Sequence, residues 1–294
     1  MNKLWVKKFS SQTYKPKFGG VKLLIDCHMH CFPDKLAAGT MEKLSAICGT
    51  VPNTDGTLQG TLDFIDRSGL DAGIMLPIAT SAHSQRNVND FAWKAQAESK
   101  GKLFAFGSVH PFAPDAIEEL HRIAEMGIRG IKLHPDYQDF YFQDTRCYPI
   151  YEEISALGLV LTIHAGFDPV SPNDIHAPVS ALVQVAQDFP KLTLIGAHMG
   201  GLGFGAEPDK RIFDLPNVWF DTAVLPSCYK GRESLFAEHL RRRGADHILF
   251  GTDCPWDTVE NIQDFLERQD LSGNILDQIY YKNAQELLHI HPGL

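Results

Sequence analysis

Residues 102–134 read KLFAFGSVHPFAPDAIEELHRIAEMGIRGIKLH. A β-rich apolar run at 102–108 is followed by a helical pattern, which ends at EMGIRG, where Gly127 can supply a left-handed C-cap. A second apolar run, 128–133, begins directly after it. A strand, a helix and a second strand in this order are typical of a βαβ unit, which places two parallel strands side by side.

The same unit repeats along the whole chain. Apolar runs that predict strands lie at 21–26, 71–77, 102–108, 128–133, 159–163, 192–197, 217–221 and 247–252. Eight βα units are the number that closes a (β/α)8 barrel. We therefore predict an α/β protein with one TIM barrel domain over residues 21–294. Residues 1–20 are expected to form a short N-terminal extension packed outside the barrel.

An open doubly wound sheet is the alternative architecture. The glycine-rich stretch GGLGFG (200–205) hints weakly at nucleotide binding. However, no GxGxxG opens the first βα unit and no GxxxxGK[ST] occurs in the chain, so neither type of phosphate-binding loop is supported.

The predicted connections differ at the two ends of the barrel. Links from helix to strand are short and carry a glycine where each helix should end, namely Gly69, Gly101, Gly127, Gly158 and Gly244. Several links from strand to helix are long, notably 31–56, 165–177 and 198–210. Because long loops are usually functional and these would gather at the carboxyl face, we expect the active site there.

Composition excludes several classes of function. The 294-residue chain has a formal net charge of −9 and no basic block except Arg241 to Arg243, which disfavours a nucleic-acid partner. No apolar run reaches signal-peptide or membrane-spanning length, so we expect a cytoplasmic protein without a membrane partner. Six scattered cysteines without CxxC pairs are expected to be reduced thiols. The oligomeric state stays open, with a homodimer among the options.

Candidate metal ligands cluster at the predicted strand ends. Six of thirteen histidines lie at or just past these ends, and Asp253 follows the eighth strand. In IDCHMH the two-residue period of a strand places His28 and His30 on one face. LTIHAG adds His164, so that three nitrogens and the Asp253 carboxylate could hold one divalent ion with room for water. Zinc suits this ligand set best, although Mn²⁺, Fe²⁺ and Co²⁺ are tolerated; a second metal ion is less favoured.

Six motifs follow one another between residues 21 and 290: IDCHMH, GIRGIKLHPDYQDF, LTIHAG, LIGAHMGG, ILFGTDCPW and the closing YYKNAQELL. The order of these motifs and the residues within them resemble those of the amidohydrolase superfamily. The resemblance is to its amidohydrolase-related group, which includes metal-dependent hydrolases and aminocarboxymuconate-semialdehyde-type decarboxylases. Together these motifs are specific, whereas any single one is not.

The resemblance implies a role for each matching residue. His28, His30 and His164 would bind the metal, Asp253 would bind it and handle a proton of the water, and His198 would stabilise the reacting oxygen. A divalent ion lowers the pKa of its water from about 15.7 toward 7, and an adjacent carboxylate can accept the proton. The sequence therefore predicts Asp253 and His198 as catalytic residues.

Further residues of the same rim are candidates for substrate contact. Lys132 and His134 share a strand face in IKLHP, and in some branches of the superfamily a lysine on strand four is carboxylated and bridges two metals. The residues of this motif resemble those of the superfamily branch that binds a single metal ion. We therefore expect Lys132 to be a charged residue inside the barrel, and His134 and Tyr137 to contact the substrate. Trp256, in the last βα loop, is expected to form a wall of the pocket.

Two reactions fit these residues. The favoured one is hydrolysis of an ester, lactone or amide of a small carboxylated or cyclic substrate by metal-activated water, and the alternative is non-oxidative decarboxylation of an aromatic or unsaturated acid. A nuclease is disfavoured because the similar nuclease barrels carry a glutamate where this chain has His134, and because the net charge is acidic. A metal-binding protein without catalysis is disfavoured because the ligand set is complete.

Overall fold

The computed structural model of the protein describes residues 23–203 and 209–292. Within those residues eight strands follow one another, and each overlaps one of the predicted runs. They are β1 (Ile25–Met29), β2 (Ala72–Met75), β3 (Leu103–Ala105), β4 (Gly130–Leu133), β5 (Val160–Ile163), β6 (Leu194–Gly196), β7 (Val218–Asp221) and β8 (Ile248–Leu249). The first strand begins and ends later than the predicted 21–26, so His28 belongs to the strand itself. The predicted extension at 1–20 lies outside the described residues.

All the strand pairs are parallel and follow chain order. Strands β1 to β3 form one hydrogen-bonded sheet and β4 to β8 another. Two bridges join these sheets into a ring: Gly107 pairs with Ile131 between β3 and β4, and Met29 pairs with Cys254 between β1 and the segment after β8. This closure distinguishes a barrel from an open sheet, and the predicted (β/α)8 fold is confirmed.

Helices alternate with the strands around the barrel. They are α1 (Asp34–Cys48), α2 (Leu58–Arg67), α3 (Gln85–Glu98), α4 (Ala116–Glu125), α5 (Pro135–Gln138), α6 (Tyr148–Ala156), α7 (Val179–Asp188), α8 (Ala197–Gly200), α9 (Leu225–Cys228), α10 (Glu233–Arg243), α11 (Val259–Glu267), α12 (Gly273–Asp277) and α13 (Asn283–Leu288). A π-helical turn, Gln278–Lys282, joins α12 to α13. Short 3₁₀ turns lie at 82–84, 145–147 and 210–214.

One predicted connection has a different structure. The link 31–56 was expected to be a long loop, but helix α1 occupies most of it. Its sequence, DKLAAGTMEKLSAIC, is rich in strong helix formers, which outweigh the internal Gly39. Only Ala37 and Met41 of this helix are buried.

The short links agree with the sequence prediction. All five glycines at the predicted helix ends have positive φ, between 66° and 85°. This conformation is strained for residues with a Cβ atom, so these glycines allow the chain to turn sharply into the next strand.

The core lies between the strands and the surrounding helices, where each fully buried Leu, Ile or Phe side chain contributes about 1.5–3 kcal/mol. Three charged residues on the strands, Asp26, Lys132 and Asp221, are also fully buried. Buried charges require partners or a function, so they direct attention to the interior of the barrel. None of the described helices combines the length and the apolar character needed to cross a bilayer.

Candidate functional site

The carboxyl ends of the strands open into a cavity of about 1320 Å³. All the residues that the sequence singled out for the site line this one cavity: His28, His30, Lys132, His134, Tyr137, His164, His198, Asp253 and Trp256. The barrel brings them together because parallel strands all end at the same face.

His28, in β1, and His30, directly after this strand, lie next to Asp253, which follows β8. The Nε2 atoms of His28 and His30 are 3.3 and 3.1 Å from Oδ1 of Asp253. Two ligand atoms bound at about 2.1 Å to one ion lie about 3.0–3.4 Å apart at angles between 90° and the tetrahedral value. The three atoms therefore have the spacing of ligands that share one metal ion.

Hydrogen bonds orient both histidines for this role. Nδ1 of His30 is 2.9 Å from the Leu76 carbonyl oxygen, and Nδ1 of His28 is 2.8 Å from Oδ2 of Asp221. Because these oxygens accept, each Nδ1 carries a proton, and in that tautomer the lone pair of each Nε2 points toward Asp253. Burial, together with the charge of Lys132, holds the pKa of His28 well below its ordinary value, so this ring is neutral at pH 7.

These lone pairs face a negatively charged oxygen. Burial raises the pKa of Asp253, but the imidazole groups of His28, His30 and His198 around it outweigh burial, so the pKa lies below its ordinary value and the carboxyl is ionised. Two nitrogen lone pairs and a carboxylate oxygen within 3.3 Å repel one another unless a cation lies between them. The donor set thus fits a divalent metal ion.

His198 follows β6 in a left-handed turn, with φ of 56° and ψ of 46°. Its backbone N–H donates to Oδ1 of Asp221 at 2.8 Å, and its Nδ1 donates to the Ala223 carbonyl at 3.2 Å. Its Nε2 lies 3.1 Å from Nδ1 of His164. A strained backbone persists only where its surroundings hold it, and here these bonds direct Nε2 into the cavity.

His164 belongs to a second layer of rings. Its ring stacks on His134 at 4.1 Å between centroids, and His134 stacks on Tyr137 at 3.9 Å. Nε2 of His134 and Nε2 of His164 are 3.5 and 3.6 Å from Oδ2 of Asp168, whose pKa burial raises to about 6. The His134 and His164 rings are only 10° from parallel, and with Asp168 they form a second cluster of metal-ligating residue types, separate from His28, His30 and Asp253.

Lys132, on β4, is a buried basic residue that lines the cavity. Its side chain is fully buried, and within the described residues its Nζ atom has no hydrogen-bond partner. Burial lowers the pKa of this amine to about 8, although Asp221, Asp253 and Asp168 oppose that shift. An unpaired buried amine in a cavity wall is suited to contact an anionic group of a ligand.

Sequence reasoning missed two aspartates of the site. Asp221 ends the predicted strand 217–221, so its position at the carboxyl face was available as a signal. Asp168 lies within the loop 165–177, where no periodicity predicts which side chains turn inward.

Comparisons with known proteins are consistent with this geometry. The model of the family described as amidohydrolase matches residues 25–290. A gamma-resorcylate decarboxylase of Polaromonas sp. (strain JS666) is 25% identical over 76% of this chain and 82% of the relative. A 2-amino-3-carboxymuconate-6-semialdehyde decarboxylase of Dictyostelium discoideum is also 25% identical, over 70% of this chain and 66% of the relative.

Solved structures share the fold at lower identity. The 5-carboxyvanillate decarboxylase of Sphingomonas paucimobilis superposes with a TM-score of 0.71 at 15% identity, covering 92% of this chain and 99% of that one. A 5-carboxyvanillate decarboxylase mutant of Novosphingobium aromaticivorans, with bound manganese and 3-methoxy-4-hydroxy-5-nitrobenzoic acid, gives 0.67 at 15% identity, covering 91% and 97%.

Proposed function

Because this chain belongs to the amidohydrolase family, we propose that it is a metal-dependent, non-oxidative decarboxylase of an aromatic or unsaturated carboxylic acid. The observation that carries the proposal is that both curated relatives named above are decarboxylases of such acids. The sequence had ranked hydrolysis first. Hydrolysis would use the same metal ligands and His198, but the two relatives favour decarboxylation.

The proposed metal ligands are His28, His30, His164 and Asp253. The spacing of His28, His30 and Asp253 supports this set, and His164 lines the same cavity. The imidazole and carboxylate donors favour zinc, and they also suit manganese, which the related 5-carboxyvanillate decarboxylase binds. A divalent ion held there would neutralise the negative charge that develops as the carbon–carbon bond breaks.

The reaction removes carbon dioxide and adds one proton. The bond between the carboxylate and its carbon breaks, the electron pair stays on that carbon, and a proton must then reach it. We assign this transfer to His198, because its Nδ1 is bonded to the Ala223 carbonyl, while its Nε2, which lies 3.1 Å from Nδ1 of His164, faces the cavity and can exchange a proton there. General acid catalysis of this kind contributes roughly 10²–10⁴-fold in rate.

The remaining side chains would hold the substrate and limit its hydration. Tyr137 offers a ring face to an aromatic acid, whereas His134, whose ring lies between Tyr137 and His164, would contact the substrate with its edge. Trp256 adds another ring to the wall. Lys132 would contact an oxygen of the substrate. An apolar wall weakens the solvation of the carboxylate, which assists loss of carbon dioxide.

The test is a product screen on the metal-loaded protein. Purified protein is incubated with gamma-resorcylate, 5-carboxyvanillate and 2-amino-3-carboxymuconate 6-semialdehyde, and separately with aryl esters and lactones. Carbon dioxide and the decarboxylated product are expected from at least one acid. Release of acid from the esters or lactones, without decarboxylation of any of the three acids, would show that the protein is a hydrolase and not a decarboxylase.

Metal content provides the matched control. Wild type is expected to carry about one ion per chain, and His28→Ala and Asp253→Ala to lose both metal and turnover. His83→Ala, at an exposed position outside the cavity lining, should leave both unchanged. Full metal occupancy in both ligand variants would disprove the site.

A further inference from the structure

Helix α1 forms one wall of the cavity. Lys35, Gly39, Lys43 and Ile47 lie one helical turn apart along it, and all four line the cavity together with their neighbour Leu36. Residues spaced by four share a helix face, and this face runs about 12 Å from Lys35 to Lys43. The wall therefore extends well beyond the dimensions of a single aromatic ring.

The cavity is large for a one-ring acid. Its volume of about 1320 Å³ exceeds the roughly 300–1,000 Å³ typical of small-molecule pockets. Phe91, Phe167, Val170 and Trp256 also line it and present apolar surface to the space in front of α1. Such a space can bury a second ring beyond the reacting one.

The two lysines of this wall are unpaired. Both are exposed, and within the described residues neither has an ion-pair or hydrogen-bond partner. The acidic neighbours Asp34 and Glu42 do not line the cavity, whose acids are all supplied by other segments. By contrast Arg146 is paired with Asp144 outside the cavity.

The acidic residues that line the cavity, Asp136, Asp168, Asp253 and Asp257, come from segments other than α1. Lys132, at the floor, is balanced electrostatically by Asp221, Asp253 and Asp168. The mouth carries the positive charge of Lys35 and Lys43 on a chain whose net charge is −9. A second anionic group on the substrate, beyond the reacting ring and against α1, would meet both lysines.

We propose that α1 selects the substrate: an elongated aryl carboxylic acid whose distal ring packs along this helix and whose second anionic group pairs with Lys35 and Lys43. The inference rests on the proposed decarboxylase function and names its substrate class. The reacting ring lies at the floor, and the distal acid stays at the mouth unchanged by the reaction.

Two matched probes test the charge preference. One is 4-hydroxybiphenyl-3,4′-dicarboxylic acid, whose 3-carboxylate can be lost, and the other is its 4′-methyl ester, with the same shape but a neutral distal end. The diacid should show the lower KM. In Lys35→Met/Lys43→Met the KM for the diacid should rise about 3- to 20-fold with kcat little changed, as expected for two exposed ion pairs, and the ester should be unaffected.

The control for charge is Lys191→Met. Lys191 is exposed and precedes β6, at the end of the barrel opposite the cavity. This variant should retain the wild-type KM for both probes. Equal KM values for diacid and ester in the wild type, or an equal rise for both in the double variant, would overturn the charge assignment.

Gly39 provides an independent test of size. A Cβ atom built at Gly39 meets no other atom within 4 Å, so a larger side chain there can be accommodated and would project into the cavity. Gly39→Leu should lower kcat/KM for the diacid at least 10-fold and leave 2-hydroxybenzoate turnover within about twofold. Gly39→Ala should leave both substrates unchanged. Equal loss on both substrates would contradict the role of this wall.

Binding measurements separate this inference from the proposed function. The product analogue 4′-hydroxybiphenyl-4-carboxylic acid and its methyl ester are titrated calorimetrically into the metal-loaded enzyme. Charge-selective binding without decarboxylation of any acid would leave the α1 inference intact and refute the decarboxylase. Decarboxylation of one-ring acids without binding of the biphenyl, or a change in oligomeric state in the double variant, would refute the inference instead.

Discussion

Oδ2 of Asp221 lies 2.8 Å from Nδ1 of His28 inside the barrel. The other oxygen of the same carboxylate accepts the backbone N–H groups of His198 and Ala223 at 2.8 and 3.1 Å. One fully buried side chain at the end of β7 therefore orients a proposed metal ligand and also positions the proposed proton donor.

Asp221→Asn should weaken metal binding while preserving the fold. The amide oxygen can take over the two backbone N–H groups, which leaves the NH₂ group facing Nδ1 of His28. That contact favours the tautomer with the proton on Nε2, which removes the lone pair from the metal position. Loss of such a supporting partner typically costs 10- to 100-fold in affinity, and competition with a chelator measures it. Unchanged affinity with an intact fold would show that Asp221 is only structural.

His198→Asn should separate metal binding from turnover. Asparagine tolerates the positive φ at this position better than most residues do, so the local turn should survive. We expect about one bound metal ion, a thermal midpoint close to wild type, and kcat reduced roughly 10²–10⁴-fold. A variant with normal kcat would exclude His198 as the proton donor; loss of the metal would instead make it a ligand.

His239 should make the protein less stable in acid. It is fully buried between Phe213 and Phe220, and burial, with the nearby charges of Arg243 and His247, lowers its pKa to about 3. The unfolded chain binds a proton near pH 6.5 and the folded one does not, so this contribution to stability is complete above pH 6.5 and is lost as the pH falls toward 3.

The histidine variant isolates that contribution. Between pH 7 and pH 5, protonation of His239 in the unfolded chain should lower the unfolding free energy of the wild type by about 2 kcal/mol. His239→Leu lacks this contribution, so its unfolding free energy should fall by about 2 kcal/mol less than that of the wild type over the same pH range. Denaturant unfolding at the two pH values measures the difference. The exposed-site control His83→Leu should follow the wild type, and a parallel response of His239→Leu would disprove the assignment.

The N-terminal cap of α11 should contribute measurably to stability. Oγ1 of Thr258 accepts the N–H of Asn261 at 3.2 Å, whereas Ser272, at the start of α12, makes no such bond. Thr258→Ala should therefore cost about 1 kcal/mol of unfolding free energy. Ser272→Ala, the matched control, should change it by much less, and equal effects of the two would show that the cap bond contributes little.

The sequence predicted the architecture well because barrel folding is governed by local patterns. Short apolar runs, helical segments and glycines such as Gly127 each reflect a backbone preference that acts within a few residues. The prediction was wrong for α1. The link 31–56 was expected to be a loop, although the residues between Pro33 and Gly49 favour a helix. Residues 204–208, within the glycine-rich stretch after β6, lie outside the described part of the chain.

The predicted site residues were found by the same route. A histidine or aspartate just past a strand must lie at the carboxyl face, so His30 and Asp253 could be placed near one another before their distance was known. The position of Asp168 depends on how a thirteen-residue loop folds back over the barrel, and no short-range pattern in the sequence determines that.

By itself, then, the sequence determined the eight-unit barrel and the set of groups at its rim, because strand period and strand ends are local properties of the chain. Only the tertiary structure decided how those groups face one another. The convergence of two imidazole lone pairs on Asp253, the support of His28 by Asp221, and the wall that α1 presents all join residues distant in sequence. Their distances depend on the closure of the barrel and the packing of its loops.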